Sequence, residues 1–125
     1  MVNGENPHVG FDFYVDTVRA LHEAMPDVHL KLYTASEIHH MTTLSGLSHE
    51  EVLRELKDAG LGSLPGGGAE IFDDRVHDEV FKGKVRADRW FDVHRTAHSL
   101  GIYSNATMLY GHVETPAERV QHLIA

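Results

Sequence analysis

Four segments of this chain follow one pattern: a short apolar stretch, then a turn carrying a glutamate. They are Met1-Val2-Asn3-Gly4-Glu5, Leu30 to Glu37, Leu64-Pro65-Gly66-Gly67-Gly68-Ala69-Glu70, and Met108 to Glu114. Carboxylates so placed can bind ligand hydroxyls or amines, move protons or hold a metal. The plainer reading is that each is a helix N-terminal carboxylate, favoured by the macrodipole. Four in parallel positions weigh toward a shared site. Gly66-Gly67-Gly68 lets the backbone approach a ligand closely. It is neither a phosphate-binding Walker loop, since no Gly-Lys-Ser/Thr follows, nor a G-x-G-x-x-G fingerprint. It suits an anion held on backbone amides, or a plain tight turn.

Histidine is frequent, with 11 residues. His39, His40 and His112 fall in turns beside the glutamates, where they could bind a substrate carboxylate or shuttle protons; the plainer alternative is a surface turn histidine. His94 and His98 are four apart, a chelating spacing, but the helix lacks the glutamate of His-Glu-x-x-His. No metal site is assigned. Met108 and Tyr110 could pack on an aromatic ligand, although Met108 suits a core equally.

Helices and strands must position these groups. Tyr14, Val18, Leu21 and Met25 form one stripe on a helix over residues 11–25, ended by Pro26-Asp27. Residues 28–33 alternate as a strand, and a short helix follows over 36–44. Ser48 and Glu51 make a capping box, with Leu47 and Val52 as its staple, ahead of an inner face of Val52, Leu53, Leu56 and Ala59. Gly60 stops that helix, and 61–64 reads as a strand. Phe72, Val76 and Val80 suggest a short helix. Trp90, Val93, Ala97 and Leu100 mark another over 88–100, stopped by Gly101. Residues 102–109 read as the clearest strand. Thr115-Pro116-Ala117-Glu118 opens the last helix, with Val120, Leu123 and Ile124 beginning an apolar face.

Connections into the strands are short and plain; those leaving them are long and polar. A (β/α) barrel shows that asymmetry, with ligands at the carboxyl ends of the strands, and so does a doubly wound sheet. Polar residues follow every strand, so the expected fold is an α/β, partial (β/α) TIM-type barrel segment of about four parallel strand–helix units. The chain starts in a strand and stops in a helix, so residues 1–125 are expected to be one fragment of a larger barrel domain.

A length of 125 residues, 42% hydrophobic and 24% charged, suits one soluble core. The net charge of −8, without a basic cluster, argues against nucleic acid or an anionic membrane as partner. No apolar run is long enough to span a membrane and no signal peptide is visible. The absence of cysteine excludes disulfides and thiolate metal sites made by this chain alone. A cytoplasmic setting is expected.

Four blocks carry a resemblance: residues 45–60, Ser63 to Ile71, His94 to His98, and Ser104 to Arg119. With Pro65-Gly-Gly-Gly-Ala-Glu70 and Tyr110-Gly-His-Val-Glu-Thr115 the chain resembles the radical S-adenosylmethionine enzymes of the futalosine route to menaquinone. It is most similar to the aminofutalosine synthases; their sister dehypoxanthine futalosine cyclases stand close, and the deazaflavin cofactor synthases further away. The resemblance implies a partial (β/α) barrel that uses S-adenosylmethionine and a [4Fe-4S] cluster held by Cys-x-x-x-Cys-x-x-Cys, a motif absent here. It implies cleavage of S-adenosylmethionine to a 5′-deoxyadenosyl radical, which adds to 3-[(1-carboxyvinyl)oxy]benzoate to give aminofutalosine. Asn3-Gly4-Glu5 resembles a Gly-Gly-Glu element that meets the cofactor's amino group, with Asn3 in place of the first glycine. Gly67, Gly68 and Glu70 match positions near its ribose or methionine part. Tyr110, Gly111 and Glu114 match an element near its adenine. Glu37, His39, His40 and His112 are placed on the substrate side by position alone.

Two other readings compete: a stand-alone module binding a small polar ligand, and a metal-binding protein using the histidines. An open barrel segment leaves strand edges unpaired, so a homo-oligomer is also expected.

Overall fold

The computed structural model describes residues 2–125. In chain order it contains α1 (Phe11–Ala24), α2 (Ala35–Ser45), α3 (His49–Asp58), β1 (Ser63–Leu64), α4 (Asp74–Val80), α5 (Ala87–Ser99), β2 (Tyr103–Ser104) and α6 (Pro116–Ile124). β1 and β2 are parallel, pairing Ser63 with Tyr103 and Leu64 with Ser104. Lys31 forms a parallel bridge to Ser63, so three extended segments run side by side.

The helices match their sequence signals closely. The Ser48–Glu51 and Thr115–Glu118 capping boxes are both formed. Val52, Leu53, Leu56 and Ala59 are buried, as are Trp90, Val93 and Ala97. α1 keeps Tyr14 and Val18 inside, but Met25 is exposed, because the chain leaves helical geometry there. Packing of α2 against α3 and α5 joins with α1 to bury Ile38, Met41, Val52 and Val93 completely. Leu30, Leu32, Leu64 and Ile102 point into the same core from the extended segments.

The strands depart from expectation. Four strand–helix units were expected; among the described residues there are two strands of two residues each and one isolated bridge. Met1 lies outside the described residues, and residues 2–6 carry no regular structure. The pairing itself is real but brief. Leu32 donates its amide to the Ser63 carbonyl, the Gly62 and Ser63 amides both donate to the Leu30 carbonyl, and Asn105 donates to Leu64. The first segment turns left-handed at Tyr33 with φ 61°, and β1 ends at Leu64 ahead of Pro65, with Glu70 left-handed further on at φ 59°. The expected strand over 102–109 ends at Ser104. Residues 105–107 are exposed, and no further segment among the described residues pairs with them. Gly66 explains the close passage there: a Cβ on it would lie 2.8 Å from the Asn105 backbone.

Candidate functional site

A groove of about 520 Å³ opens past the ends of two of the three extended segments, those leading into Thr34 and Gly67. Its walls are the 2–5 segment, the Thr34–Glu37 turn, the Gly67–Glu70 turn and the Lys82–Lys84 loop. A second hollow of about 340 Å³ shares Glu5, Ser36, Gly83 and Lys84 with it and reaches His39, His40 and Arg89.

Local backbone chemistry builds the groove floor. Gly68 has φ 124° and sits where a Cβ would approach the Ser36 hydroxyl to 3.2 Å. The Trp90 indole donates to the Gly67 carbonyl at 3.4 Å, tying α5 to the turn. Thr107 donates its hydroxyl to the Gly66 carbonyl at 2.9 Å. Glu70 then holds a left-handed backbone that side chains rarely adopt, and such outliers concentrate at functional sites. Among the described residues its carboxylate has one cationic partner, Lys84, at 3.6 Å.

The four glutamates do not share one role. Glu37 lines the groove but is buried, and its oxygens are taken by the chain itself. Oε1 accepts from the Asn3 and Gly4 amides at 2.6 and 3.0 Å; Oε2 accepts from the Thr34 amide and hydroxyl at 2.8 and 2.9 Å. It is the third residue of a capping box on α2 and the anchor of the Asn3-Gly4 loop. The signal was present as Thr34-x-x-Glu37, the same spacing as Ser48 and Glu51. Its helix-terminal reading describes this geometry better than a substrate contact does.

Glu114 is likewise held internally. It accepts from the Gly111 and His112 amides at 2.6 and 2.9 Å and from Arg119 at 2.6 Å. The Gly111 amide leads in holding its carboxyl down to about 2, against the cost of burial, with the His112 amide and Arg119 helping. His112 accepts the Val113 amide on Nδ1 and reaches the Leu109 carbonyl through Nε2. Tyr110 is exposed beneath the Arg119 guanidinium. Tyr110, Gly111, His112 and Glu114 line neither hollow. The structure therefore brings together Gly4, Glu5, Glu37, Gly67, Gly68 and Glu70, attaches Asn3 through Glu37, and sets His39 and His40 in the adjoining hollow.

Sequence reasoning missed Ser36, Lys82 and Lys84 in the groove and Arg86 and Arg89 beside it. The Lys82-Gly83-Lys84 turn was the available signal. His94 and His98 are not arranged as a chelate: both bond the Ser104 hydroxyl, at 2.8 and 2.7 Å. Among the described residues, no group of three or more His, Asp or Glu could hold a metal ion.

The groove fits S-adenosylmethionine in size and charge. Its volume lies in the range of small-molecule sites. Glu5 and Glu70 leave carboxylate oxygens for an ammonium or hydroxyls, and the glycine turn lets a flat group lie against the backbone. The iron–sulfur cluster does not fit this chain's own donors, which include no thiolate.

Comparison with known proteins agrees. The model of the radical SAM superfamily matches residues 2–124. The chain is 52% identical over 120 residues to the aminodeoxyfutalosine synthase of Thermus thermophilus, covering 96% of this chain and 32% of that protein. It is 46% identical over 124 residues to the synthase of that name from Streptomyces coelicolor, covering 99% and 32%. It is 43% identical over 122 residues to the 5-amino-6-(D-ribitylamino)uracil–L-tyrosine 4-hydroxyphenyl transferase of Methanosphaerula palustris, covering 98% and 33%. The chain spans about a third of the length of these curated relatives. It belongs to the radical SAM superfamily.

Proposed function

We propose that this chain is the central part of a radical S-adenosylmethionine enzyme making aminofutalosine from 3-[(1-carboxyvinyl)oxy]benzoate, on the menaquinone route and in the cytoplasm. The observation that carries the reading is the groove, with its glycine floor and open glutamates at the ends of parallel extended segments. The higher identity to aminodeoxyfutalosine synthases than to the hydroxyphenyl transferase favours this reaction. The sister cyclase remains the second reading within the same family. Bound S-adenosylmethionine would supply the adenosyl group, and a cluster held elsewhere would supply the electron for its cleavage.

This chain's own task is binding and orientation. Glu70 and Glu5 take the cofactor's hydroxyls and ammonium, with Asn3 and Gly4 fixed by Glu37. In the second hollow, beside His39 and His40, the cations Lys84, Arg86 and Arg89 supply a side suited to a substrate with two carboxylates. Tyr110, Gly111 and Glu114 would approach the adenine only with the 110–114 turn brought toward the groove. Without a thiolate the 125-residue chain does not turn over alone.

In the full-length enzyme, Glu70→Gln weakens S-adenosylmethionine binding by about 2 kcal/mol, the loss of a charge-assisted contact, and leaves substrate binding unchanged. Calorimetry checks this, and unchanged cofactor affinity removes Glu70 from the site.

We also propose self-association of the isolated chain. Tyr103 in the edge strand is 80% exposed, and Leu123 and Ile124 on α6 are 72% and 71% exposed. These surfaces favour a partner. Light scattering at micromolar concentration reports a dimer or larger; a well-folded 14.0 kDa monomer defeats the proposal.

A further inference from the structure

Three side chains from three helices form a hydrogen-bonded chain beside the second hollow. His39 of α2 places Nδ1 3.1 Å from Nε2 of His49 in α3, and Nδ1 of His49 lies 2.6 Å from Oδ2 of Asp92 in α5. Hydrogen-bond logic places the protons for a neutral pair of rings. A carboxylate only accepts, so His49 carries its proton on Nδ1. In the neutral ring Nε2 is then the acceptor, and His39 donates to it from Nδ1. The remaining ring nitrogen of His39, Nε2, is bare.

We infer that His49 and Asp92 are positioning residues that lock His39 in the Nδ1–H tautomer, so that its Nε2 lone pair accepts a hydrogen bond from a hydroxyl or ammonium of the bound ligand. The inference rests on the proposed function only for the identity of that ligand. A substrate whose groups are two carboxylates offers no donor, and a lone pair repels it. S-adenosylmethionine has an ammonium and two ribose hydroxyls. Glu5 lines both hollows, so an ammonium held there lies in the space that His39 lines. His39 thereby moves from the substrate side to the cofactor side.

The surroundings disfavour the charged form of His39. Burial comes first in lowering its pKa, and His49 and Arg89 add to this; Glu5 from the N-terminal segment and Asp88 from α5 oppose. His40, Lys84 and Arg86 line the same hollow, and Glu50 on α3 lines the adjoining surface with His49 and Asp92.

Two measurements test the array. In the 15N-labelled 125-residue chain at pH 7.5, long-range proton–nitrogen spectra should show His39 and His49 protonated on Nδ1 with bare Nε2. Asp92→Ala and His49→Phe should each release His39 from that single tautomer. Asp92→Asn should retain it, because the amide carbonyl still accepts from His49. Asp92 is exposed, so its replacement spares the core, and His49→Phe keeps an aromatic ring at a side chain that is only 11% exposed. A proton on Nε2 of His39, or a tautomer indifferent to Asp92→Ala and His49→Phe, overturns the array, whatever the enzyme does. In the full-length enzyme, Asp92→Ala and His49→Phe should weaken S-adenosylmethionine binding by about threefold to tenfold, the loss of one hydrogen bond, with Asp92→Asn near wild type. Loss of affinity for the dicarboxylate instead overturns the ligand assignment. Failure of the wild-type enzyme to bind S-adenosylmethionine at all defeats the proposed function and the ligand assignment together, and leaves the tautomer result standing.

Discussion

The turns at 34–37 and 66–70 face each other across one groove, and each ends in a glutamate that follows an extended segment. Glu37 answers three backbone amides and a hydroxyl, and is buried. Among the described residues Glu70 answers a single lysine, at 3.6 Å, and its backbone is left-handed. One wall is closed by its own chain; the other is open to a ligand. The difference is the supply of local donors. Thr34 and the Asn3-Gly4 loop lie within reach of Glu37, whereas the glycines before Glu70 donate nothing to its carboxylate. Glu114 repeats the closed design in its own turn.

The comparison breaks if the closed wall is dispensable. Glu37→Ala leaves three amides and a hydroxyl without their acceptor and unpins the 2–5 segment. We expect a loss of about 3–4 kcal/mol in unfolding free energy, since each unmet buried group costs about 1–3 kcal/mol and water recovers part. Urea unfolding reads it, and a loss below about 1 kcal/mol would mean that Glu37 does not brace the fold.

The same division runs through the histidines. His39 lines an open hollow, whereas His94 is buried and stacked on Trp90 at 3.7 Å. Burial first, then His98, lowers the His94 pKa from 6.5 to about 4. Between those values the unfolded chain binds the proton and the folded one does not, so stability is lost as pH falls through that window. The loss is on the order of 3 kcal/mol. Glu114 and Glu118, both held near 2, lose their contributions only at lower pH. Unfolding curves between pH 7 and 4.5 should show the slope, and His94→Phe should flatten it.

The helices and their caps were legible because local signals decide them. Ser48-x-x-Glu51 and Thr115-Pro116-x-Glu118 name their own hydrogen bonds, and the 52–59 face buries what its spacing says. The strands were legible as burial but not as length. Leu30, Leu32, Leu64 and Ile102 all point inward, yet a ladder extends only as far as a neighbour does. Alternation over 102–109 cannot show that the regular ladder ends at Leu64 and Ser104, past which the two segments touch through isolated bonds at Gly66 and Glu70. The groove glutamates were legible as a set, but their division into closed and open was not. That division depends on which amides fold back onto each carboxylate. The Thr34-x-x-Glu37 spacing was the one local clue. The His39–His49–Asp92 chain joins three helices and leaves no trace in sequence spacing.

The smallest effect sharpens the comparison most, because its sign separates binding from stability. Glu70 adopts φ 59°, where a side chain costs roughly 1–2 kcal/mol that glycine avoids. Glu70→Gly removes that cost and also the pairing with Lys84, whose side chain is half exposed. An exposed pair contributes about 0–1 kcal/mol. The balance predicts that Glu70→Gly raises the stability of the chain by about 0.5–1 kcal/mol in urea unfolding, while on the proposed function the same change in the full-length enzyme weakens S-adenosylmethionine binding. Glu70→Ala is the control. It keeps the backbone cost and loses only the lysine, so its stability should move by less than about 0.5 kcal/mol. If Glu70→Gly destabilises the chain, the glutamate supports the fold as Glu37 does, and the open wall is not open. If it stabilises the chain and weakens the ligand, the strain at Glu70 is held in place for binding.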